Sequence, residues 1–370
     1  MTLPRILIVS HTYTAPVNRA KLDALAQHST LTAIIPNRWQ DALFTLDTNQ
    51  TRPVNYVLHT LAIRFNGHIL RYLYPWHDVN HIILQTQPDL IYVEEEPASL
   101  VLTQFALLKR RAKLVCFTCE NIFRHVGLPG IERYNLAQCD GVIAGNRQAA
   151  EIIRRKKFAK PILITPQLGI DPDFFKPTRS TELRDQLGLE GFIVGYIGRL
   201  VEEKGLGILI DAVAELPEIC LLIIGSGPLR EKLEQSIATR NLAARVRIVP
   251  SVSHDQIPLY LNALDVLALP SQTTPVWKEQ FGHVLVEAMA CAVPVVGSDS
   301  GAIPKVIGDA GLIFPEGNAN SLRDAIVTLR SNSVRCEQLA QAGRARVLAQ
   351  FTHAHIAAAN IEFFKQVLAS

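Results

Sequence analysis

The fold is decided by the stretch GFIVGYIGRLVEEKGLGILIDAVAELPEICLLIIGSGP, which spans residues 191–228. Its apolar runs at Gly191–Ile197 and Ile219–Ile224 lack a regular polar alternation, which predicts strands that are covered on both faces. The segment between them, Lys204–Glu215, has apolar residues at helical spacing and predicts a helix. A strand, a helix and a second strand in this order form the repeating unit of a parallel sheet.

The same alternation extends in both directions along the chain. Downstream, a helix is predicted at Pro228–Arg240 and strands at Val246–Val249, Val266–Leu269 and Val293–Gly297. Upstream, strands are predicted at Arg5–Ser10, Asp89–Val93, Ala112–Phe117, Gly141–Ala144 and Pro161–Thr165, with helices at Ala98–Arg110 and Arg147–Lys157. The pattern therefore predicts parallel sheets that carry helices on both faces.

A turn-rich segment, Gly169–Pro177, interrupts this alternation near the middle of the 370 residues. We expect an N-terminal Rossmann-like domain over residues 1–175 and a C-terminal one over 176–351. The last segment, 352–370, is predicted to be a helix that packs back onto the N-terminal domain. The fold class is thus α/β with two doubly wound domains, and a cleft between them is where ligands are expected.

The composition favours a globular protein of the cytoplasm. Hydrophobic residues make up 48% of the chain and charged residues 19%, which is typical of proteins with large buried sheets. No apolar run reaches the roughly 18 residues of a membrane span, and the first residues lack the order of a signal peptide. Cys116 and Cys119 have redox or metal spacing, but no second pair follows, so we interpret them as buried reduced thiols.

The net charge of +3 comes from the N-terminal half, where residues 1–175 hold 19 Lys and Arg against 14 Asp and Glu. Two clusters, Lys109–Lys113 and Arg154–Lys157, lie at predicted helix ends, where cations complement the helix dipole. Solvated helix ends are the favoured interpretation. Peripheral contact with the anionic inner face of a membrane is the alternative. Nucleic acid is not predicted as a partner, because no recognised binding motif accompanies the charge.

The segment EQFGHVLVEAMA, residues 279–290, is the strongest candidate for a ligand site. It becomes a helix near Gly282, and a helix N-terminus offers N–H groups and a positive dipole end to a pyrophosphate. Glu279 precedes this helix and Glu287 lies within it, so the two carboxylates reach different parts of one ligand. Each carboxylate can accept hydrogen bonds from a pair of sugar hydroxyls. Ordinary acidic residues on a surface helix are the alternative.

Two cations, Arg199 and Lys204, follow the first strand of the second domain and make a candidate anion site. The planar fork of Arg199 can hold two phosphate oxygens, while Lys204 supplies a compact charge. A second strand-to-helix turn, Gly225-Ser226-Gly227-Pro228, resembles the start of a dinucleotide motif. It lacks the third glycine and the acidic ribose partner, so an NAD site is not predicted.

Taken together, these motifs resemble those of the retaining glycosyltransferases of family 4, which have the GT-B fold. The matching motifs are Gly198-Arg199 with Lys204-Gly205, Gly225-x-Gly227-Pro228, Glu279-x7-Glu287 with Phe281-Gly282, and Gly297-Ser298-Asp299-x-Gly301-Ala302-Ile303-Pro304. They occur in the family's order and cover most of residues 170–330. The segment Val93–Pro97 resembles a subgroup associated with bacterial surface polysaccharides.

The resemblance implies a role for each matching residue. Arg199 and Lys204 would hold the donor diphosphate and stabilise its departing charge, and Glu279 would contact the transferred sugar. The donor-binding residues that it implies are Glu287 for the ribose, Val252 for the base, the backbone of Phe281, Gly282, His283, Val284 and Leu285 for the sugar and phosphates, and the glycines Gly198, Gly225 and Gly227.

The N-terminal half departs from the commonest family pattern. The loop His11–Arg19 stands where family members often carry a Gly-Gly pair, and Glu120 stands where many carry a His. We count Glu120 with the candidate catalytic residues. Contacts to the acceptor are expected from Asn18, Arg19, Glu94, Glu95 and Glu96. Solvated loop charge is the alternative for these residues.

A retaining family without a fixed nucleophile suggests front-side displacement, in which the leaving diphosphate helps to deprotonate the acceptor hydroxyl. The two cations and a helix dipole then do the electrostatic work, and neither a metal nor another cofactor is expected. Asp171-Pro172-Asp173 has the spacing of a metal motif, but Asp and Pro are also common in turns for backbone reasons.

The sequence thus predicts a transferase that moves a hexose to a sugar or lipid-linked saccharide acceptor in polysaccharide biosynthesis. UDP-glucose is the expected donor from its frequency in the family. One alternative is a nucleotide-sugar epimerase or hydrolase, which needs no acceptor. Another is a non-catalytic nucleotide-sugar-binding subunit that supports a partner transferase.

Overall fold

The computed structural model describes residues 3–40, 45–48, 54–124, 127–128, 130–178 and 181–370. The chain divides into unit 1, Met1–Gly169 with His353–Ser370, and unit 2, Ile170–Thr352. The boundary between the units lies after Gly169, earlier in the chain than the boundary predicted at residue 175. The residues that follow Gly169 belong to unit 2 because the Ile170 N–H donates to the Phe351 carbonyl at 2.8 Å and Phe175 is buried in the core of unit 2.

Unit 1 is an α/β unit. Its strands are β1 (Arg5–Val9), β2 (Thr30–Pro36), β3 (Arg38–Gln40), β4 (Thr45–Asp47), β5 (Val57–Leu61), β6 (Leu90–Val93), β7 (Lys113–Thr118), β8 (Gly141–Ala144) and β9 (Ile162–Ile164). Its first helices are α1 (Ala20–Ala26), α2 (Trp76–Thr86), α3 (Leu100–Leu108), α4 (Ile131–Gln138) and α5 (Arg147–Arg155). Seven strands form a parallel sheet in the order β5-β2-β1-β6-β7-β8-β9, while β3 and β4 form an antiparallel pair.

Unit 2 repeats this plan. Its strands are β10 (Phe192–Ile197), β11 (Ile219–Ile224), β12 (Val246–Val249), β13 (Val266–Leu269), β14 (Val295–Ser298) and β15 (Leu312–Phe314). Its helices are α6 (Thr181–Leu187), α7 (Leu206–Ala214), α8 (Arg230–Thr239), α9 (Ile257–Leu261), α10 (His283–Ala290), α11 (Ile303–Ile307), α12 (Ala319–Ser331) and α13 (Ser333–Gln350). The six strands form a parallel sheet in the order β12-β11-β10-β13-β14-β15.

The last helix, α14 (His353–Ala369), belongs to unit 1. It packs against α1, and the ring of Phe364 lies 5.4 Å from that of Tyr92 in the core. Because Phe364 and Val367 are fully buried on one face of this helix, their burial ties the end of the chain to unit 1.

Each sheet has one point at which its strand order reverses. The neighbours of β1 are β2 and β6, and the neighbours of β10 are β11 and β13. Loops leave such adjacent strands in opposite directions, which opens a crevice at the carboxyl ends where ligands bind. The predicted fold class of two doubly wound units is confirmed. Ligand sites are therefore expected at the β1/β6 and β10/β13 edges.

The two basic clusters lie at helix ends. Lys109 follows α3 and donates to the Gln138 carbonyl at 2.7 Å, and Arg154, in the last turn of α5, donates to the Phe158 carbonyl at 2.7 Å. Cys116 is a buried free thiol and Cys119 a partly buried one. Among the described residues, no helix combines the length and apolar character that crossing a bilayer requires.

Candidate functional site

The candidate residues of unit 2 meet at the carboxyl edge of β10 and β13. Gly198 and Arg199 follow β10 directly, and the loop from Pro270 to Gly282 joins β13 to α10. This edge is the reversal point of the sheet, so the two loops face a common crevice.

An ion pair between Lys204 and Glu279 lies at the centre of this edge. Lys204 Nζ is 2.6 Å from Glu279 Oε2, and the Ser271 hydroxyl donates to the same oxygen at 2.8 Å. The Lys204 ammonium also lies 4.8 Å from the centre of the Trp277 ring. Both charged side chains are largely buried, at 14% and 9% exposure, so solvent and salt screen the pair only weakly.

Two glycines explain how these loops come so close. Gly301 has a φ of +55°, and a Cβ there would overlap the Glu279 carbonyl oxygen. Gly205 has a φ of +67°, and a Cβ there would overlap the Pro270 carbonyl oxygen. Both positions require glycine for conformation and for space, so the motif glycines fix the backbone on which Glu279 and Lys204 meet.

Arg199 is the more exposed of the two cations. Its guanidinium is 50% exposed and lies 3.7 Å from the Glu203 carboxylate, a loose i,i+4 pair. Its carbonyl accepts a hydrogen bond from the Tyr196 hydroxyl at 2.8 Å. Burial, with a contribution from Glu279, raises the pKa of Tyr196, so the phenol stays neutral and holds the Arg199 backbone.

Helix α10 begins at this edge without a side-chain cap. Its N-cap residue Gly282 has a φ of +83°. No described residue accepts a hydrogen bond from the backbone N–H of His283 or Val284, as expected for an uncapped first turn. The Leu285 N–H donates to the Gly282 carbonyl at 2.9 Å, and its predicted contact with a phosphate stays a prediction. The backbone N–H groups of His283 and Val284 thus have no acceptor among the described residues, and their predicted contact with a phosphate stays a prediction.

Glu287 lies one helical turn further along α10 and is partly buried. Its carboxyl group makes no hydrogen bond or ion pair with any residue that the structure describes. Burial raises its pKa to about 7, because an unpaired charge is disfavoured away from water. A ligand whose hydroxyl groups donate hydrogen bonds to Glu287 can therefore favour the ionised form of this carboxyl group.

The turn glycines act mainly on the backbone. A Cβ at Gly225 would overlap the Gly198 carbonyl oxygen, and one at Gly227 would overlap the Leu200 carbonyl oxygen. They bring the turns after β10 and β11 together. Val252 is partly buried against the core and follows β12, the outermost strand on that side.

In unit 1, two of the predicted acceptor-binding residues are buried in the protein. Glu94 is 1% exposed and accepts hydrogen bonds from Lys21, Tyr13 and Tyr92. Arg19 is 3% exposed, and its guanidinium donates to the Tyr13 carbonyl at 2.9 Å. Solvated charge is therefore wrong for these two residues, because each side chain is buried and holds the loop after β1. Their contact with an acceptor stays a prediction.

Three further predicted residues also have partners within unit 1. Glu96 accepts from the Thr118 hydroxyl at 2.6 Å, and burial raises its pKa. The Asn18 amide donates to the Thr12 carbonyl at 2.8 Å. Glu120 pairs with the Arg124 guanidinium at 2.8 Å. Glu96 and Glu120 lie near each other, since the Thr118 hydroxyl also accepts from the Glu120 backbone N–H at 3.3 Å. The roles of all three residues stay predictions.

Glu95 lies at the β1/β6 edge and is 2% exposed. One of its oxygens, Oε1, is 2.6 Å from His11 Nδ1 and 2.8 Å from the Tyr72 hydroxyl. Neither His11 nor Tyr72 was a predicted site residue. The available signal was that His11 comes directly after the strand end at Ser10.

Asp171 has a backbone role. Its Oδ1 accepts from the N–H groups of Asp173 at 2.9 Å and Phe174 at 3.3 Å, as in an Asx turn. Within the described part of the chain, no three His, Cys, Asp or Glu side chains are grouped as a metal site requires. The turn interpretation of Asp171-Pro172-Asp173 fits these contacts.

Comparison with known proteins gives a family match for unit 2. Residues 180–346 match the family model described as glycosyl transferases group 1. Among curated relatives, alpha-D-kanosaminyltransferase of Streptomyces kanamyceticus is 30% identical over 57% of this chain and 56% of its own. The amylovoran biosynthesis glycosyltransferase AmsK of Erwinia amylovora is 34% identical over 54% and 49%. The chain spans less than two thirds of the length of these relatives.

Solved structures match over the whole chain and show the fold. Sucrose-phosphate synthase from Thermosynechococcus elongatus has a TM-score of 0.76 at 22% identity, covering 99% of both chains. Anabaena Alr3699/HepE in complex with UDP and glucose has a TM-score of 0.71 at 21% identity, covering 98% of this chain and 99% of its own. The two α/β units therefore have the GT-B architecture, as the sequence motifs predicted.

Proposed function

We propose that this protein is a retaining, family 4 glycosyltransferase that moves glucose from UDP-glucose to a sugar or lipid-linked saccharide acceptor. The Lys204–Glu279 pair beside the uncapped start of α10 carries this proposal. It combines a buried cation for a diphosphate with a carboxylate for sugar hydroxyls. Unit 2 is accordingly the donor-binding unit.

The relatives support a transferase and a hydroxyl-rich acceptor. AmsK is named for amylovoran biosynthesis, which supports a role in polysaccharide biosynthesis. Another relative, from S. kanamyceticus, is named a 2-deoxystreptamine glucosyltransferase and is 26% identical over 66% of this chain. UDP in the HepE structure supports the choice of nucleotide. The cytoplasm, with peripheral contact at the inner membrane face, is the proposed location.

The mechanism that we propose is front-side displacement. Arg199, Lys204 and the start of α10 stabilise negative charge that grows on the diphosphate as the bond to the sugar breaks. The departing oxygen takes the proton of the acceptor hydroxyl, whose oxygen bonds to the same face of the sugar carbon. Glu279 holds the sugar and keeps Lys204 in place, and Glu287 binds the ribose.

The direct test is turnover of UDP-glucose with a pool of saccharide and lipid-linked acceptors, followed by UDP release and by NMR of the product. We expect acceptor-dependent UDP release and an α-linked product. Release of glucose without an acceptor would identify a hydrolase, and conversion of UDP-glucose to another UDP-sugar would identify an epimerase. Binding of UDP-glucose without any turnover would identify a non-catalytic subunit. Each of those results would contradict the proposal.

Turnover is expected to persist in excess EDTA. In the proposed mechanism the two cations and the helix dipole neutralise the diphosphate in place of a metal, so no divalent ion is needed. Initial rates are measured before and after chelation and after adding back magnesium or manganese. Loss on chelation with recovery on addition would refute metal independence and return attention to Asp171 and Asp173.

The pKa of Glu287 predicts a pH dependence for UDP binding. Because burial raises this pKa to about 7, the carboxyl is largely protonated at pH 6 and largely ionised at pH 8. Ionised Glu287 accepts from both ribose hydroxyls, so affinity should increase with pH, by at most about tenfold. The ratio of wild-type to Glu287→Gln affinity is the measurement, since ionisation of UDP cancels in it. A pH-independent ratio would exclude ribose binding by ionised Glu287.

A further inference from the structure

The loop between β13 and α10 places a tryptophan beside the Lys204–Glu279 ion pair. Trp277 lies two residues before Glu279, and the centre of its ring is 4.8 Å from Lys204 Nζ. An ammonium at this distance from an aromatic ring is attracted to the negative face of that ring, most strongly when the ring is that of tryptophan. Trp277 is partly buried, so its ring takes the place of water on one side of the ammonium.

The turn that carries this ring is fixed on both sides of Trp277. The Thr274 N–H donates to the Trp277 carbonyl at 2.8 Å, which closes the turn 274–277. The preceding residue, Thr273, donates through its N–H to the Glu316 carboxylate at 2.7 Å. On the other side, Glu279 is held by its ion pair with the lysine. The ring is therefore part of a fixed loop.

The ring restricts a cation that its stem leaves mobile. Lysine carries its charge on a flexible four-carbon stem, so the stem alone gives the ammonium no fixed place. The bond from Lys204 to Glu279 uses one of the three donor hydrogens of the ammonium, which leaves the others for phosphate oxygens. The carboxylate and the ring together hold the ammonium at the β10/β13 edge. At 14% exposure, its charge is screened only weakly by salt.

We propose that Trp277 is a positioning residue, whose ring holds the Lys204 ammonium toward the donor diphosphate and shields it from water. This inference rests on the proposed function and adds to it a residue that acts through Lys204. In the proposed mechanism, negative charge grows on the diphosphate as the sugar departs. A cation stabilises such charge most when it is already in place and weakly screened, and the ring of Trp277 supplies both conditions.

The test compares the binding of UDP and UMP, by calorimetry, to wild type and to Trp277→Leu, which keeps an apolar side chain but has no aromatic face. The two nucleotides differ only in the second phosphate, so the ratio of their affinities reports the cation that holds it. We expect Trp277→Leu to lower the preference for UDP about three- to tenfold. The UDP affinity of this variant should also decrease more steeply than that of wild type between about 0.05 and about 0.5 M salt, because counterions reach the ammonium.

Two further variants separate this role from a general effect on packing. Trp277→Phe keeps an aromatic face and should recover most of the preference for UDP. Trp76→Leu makes the same change at a tryptophan of unit 1 that is 47% exposed, and it should bind both nucleotides as wild type does.

Three results would overturn the inference and leave the proposed function intact, provided that wild type binds UDP. They are a wild-type preference and salt dependence in Trp277→Leu, an equal loss of UDP and UMP binding in that variant, and equal losses in the leucine and phenylalanine variants. Wild-type protein that binds no UDP would instead contradict the proposed function itself.

Discussion

Replacing Arg199 by alanine is expected to lower kcat for UDP-glucose about ten- to hundredfold. A charge-assisted hydrogen bond contributes about 1.5–3 kcal/mol, and the bond to the departing diphosphate strengthens as charge develops there. The Arg199 guanidinium is half exposed and only loosely paired with Glu203. Its loss should therefore leave folding unchanged and act on the reaction alone.

Lys204→Ala should cause a loss at least as large, because this cation is nearly buried and lies beside Glu279. Removing it also leaves the Glu279 carboxylate without its cation, so the melting temperature must be measured in parallel. Lys204→Arg keeps the charge and should restore part of the activity. Lys232→Ala is the matched control, since Lys232 is 73% exposed in a surface pair. Rates of both alanine variants within twofold of wild type would contradict the diphosphate assignment.

Glu279→Gln is expected to lower kcat at least tenfold, with a small effect on binding of plain UDP. Its carboxylate orients Lys204 and is placed to favour the positive charge that develops on the sugar during cleavage. Gln preserves the size and the hydrogen bond from Ser271 but not the charge. A drop in kcat without a drop in melting temperature separates this electrostatic role from a structural one.

Glu287→Gln should behave differently and chiefly raise the KM for the donor. A ribose contact is formed equally in the ground state and the transition state, so its loss weakens binding without slowing the bound complex. No residue that the structure describes depends on the Glu287 carboxyl for a hydrogen bond. This variant should therefore be as stable as wild type or more stable, because a buried ionisable group is removed.

The fold was predictable where apolar runs were unbroken. The predicted bounds of Gly141–Ala144, Ile219–Ile224, Val246–Val249 and Val266–Leu269 match the observed strands. The strands at Thr30–Pro36 and Val57–Leu61 were not predicted. Threonines interrupt the first of these runs, and the second carries His59 and Thr60 on the edge strand of the sheet. Their pairing with the rest of the sheet depends on tertiary contacts that a local pattern does not contain.

The donor motifs could be located from sequence, but their contacts could not. Lys204 and Glu279 are 75 residues apart, and only the parallel register of β10 and β13 brings them to one edge. In unit 1, the sequence pattern does not distinguish the three consecutive residues Glu94, Glu95 and Glu96 from one another. In the structure, Glu94 pairs with a buried lysine and Glu95 contacts a histidine. The partners differ because successive positions after a strand face different surroundings.

UDP titration of three proteins, wild type, Glu287→Gln and Glu279→Gln, tests the central claim most directly. UDP keeps the ribose and the diphosphate but lacks the hexose, so it reports the two carboxylates separately. By calorimetry, we predict saturable UDP binding to wild type, about tenfold weaker binding to Glu287→Gln and nearly unchanged binding to Glu279→Gln. The reverse order for the two variants would exchange the proposed roles. Wild-type protein that binds neither UDP, GDP nor ADP would contradict the nucleotide-sugar site itself.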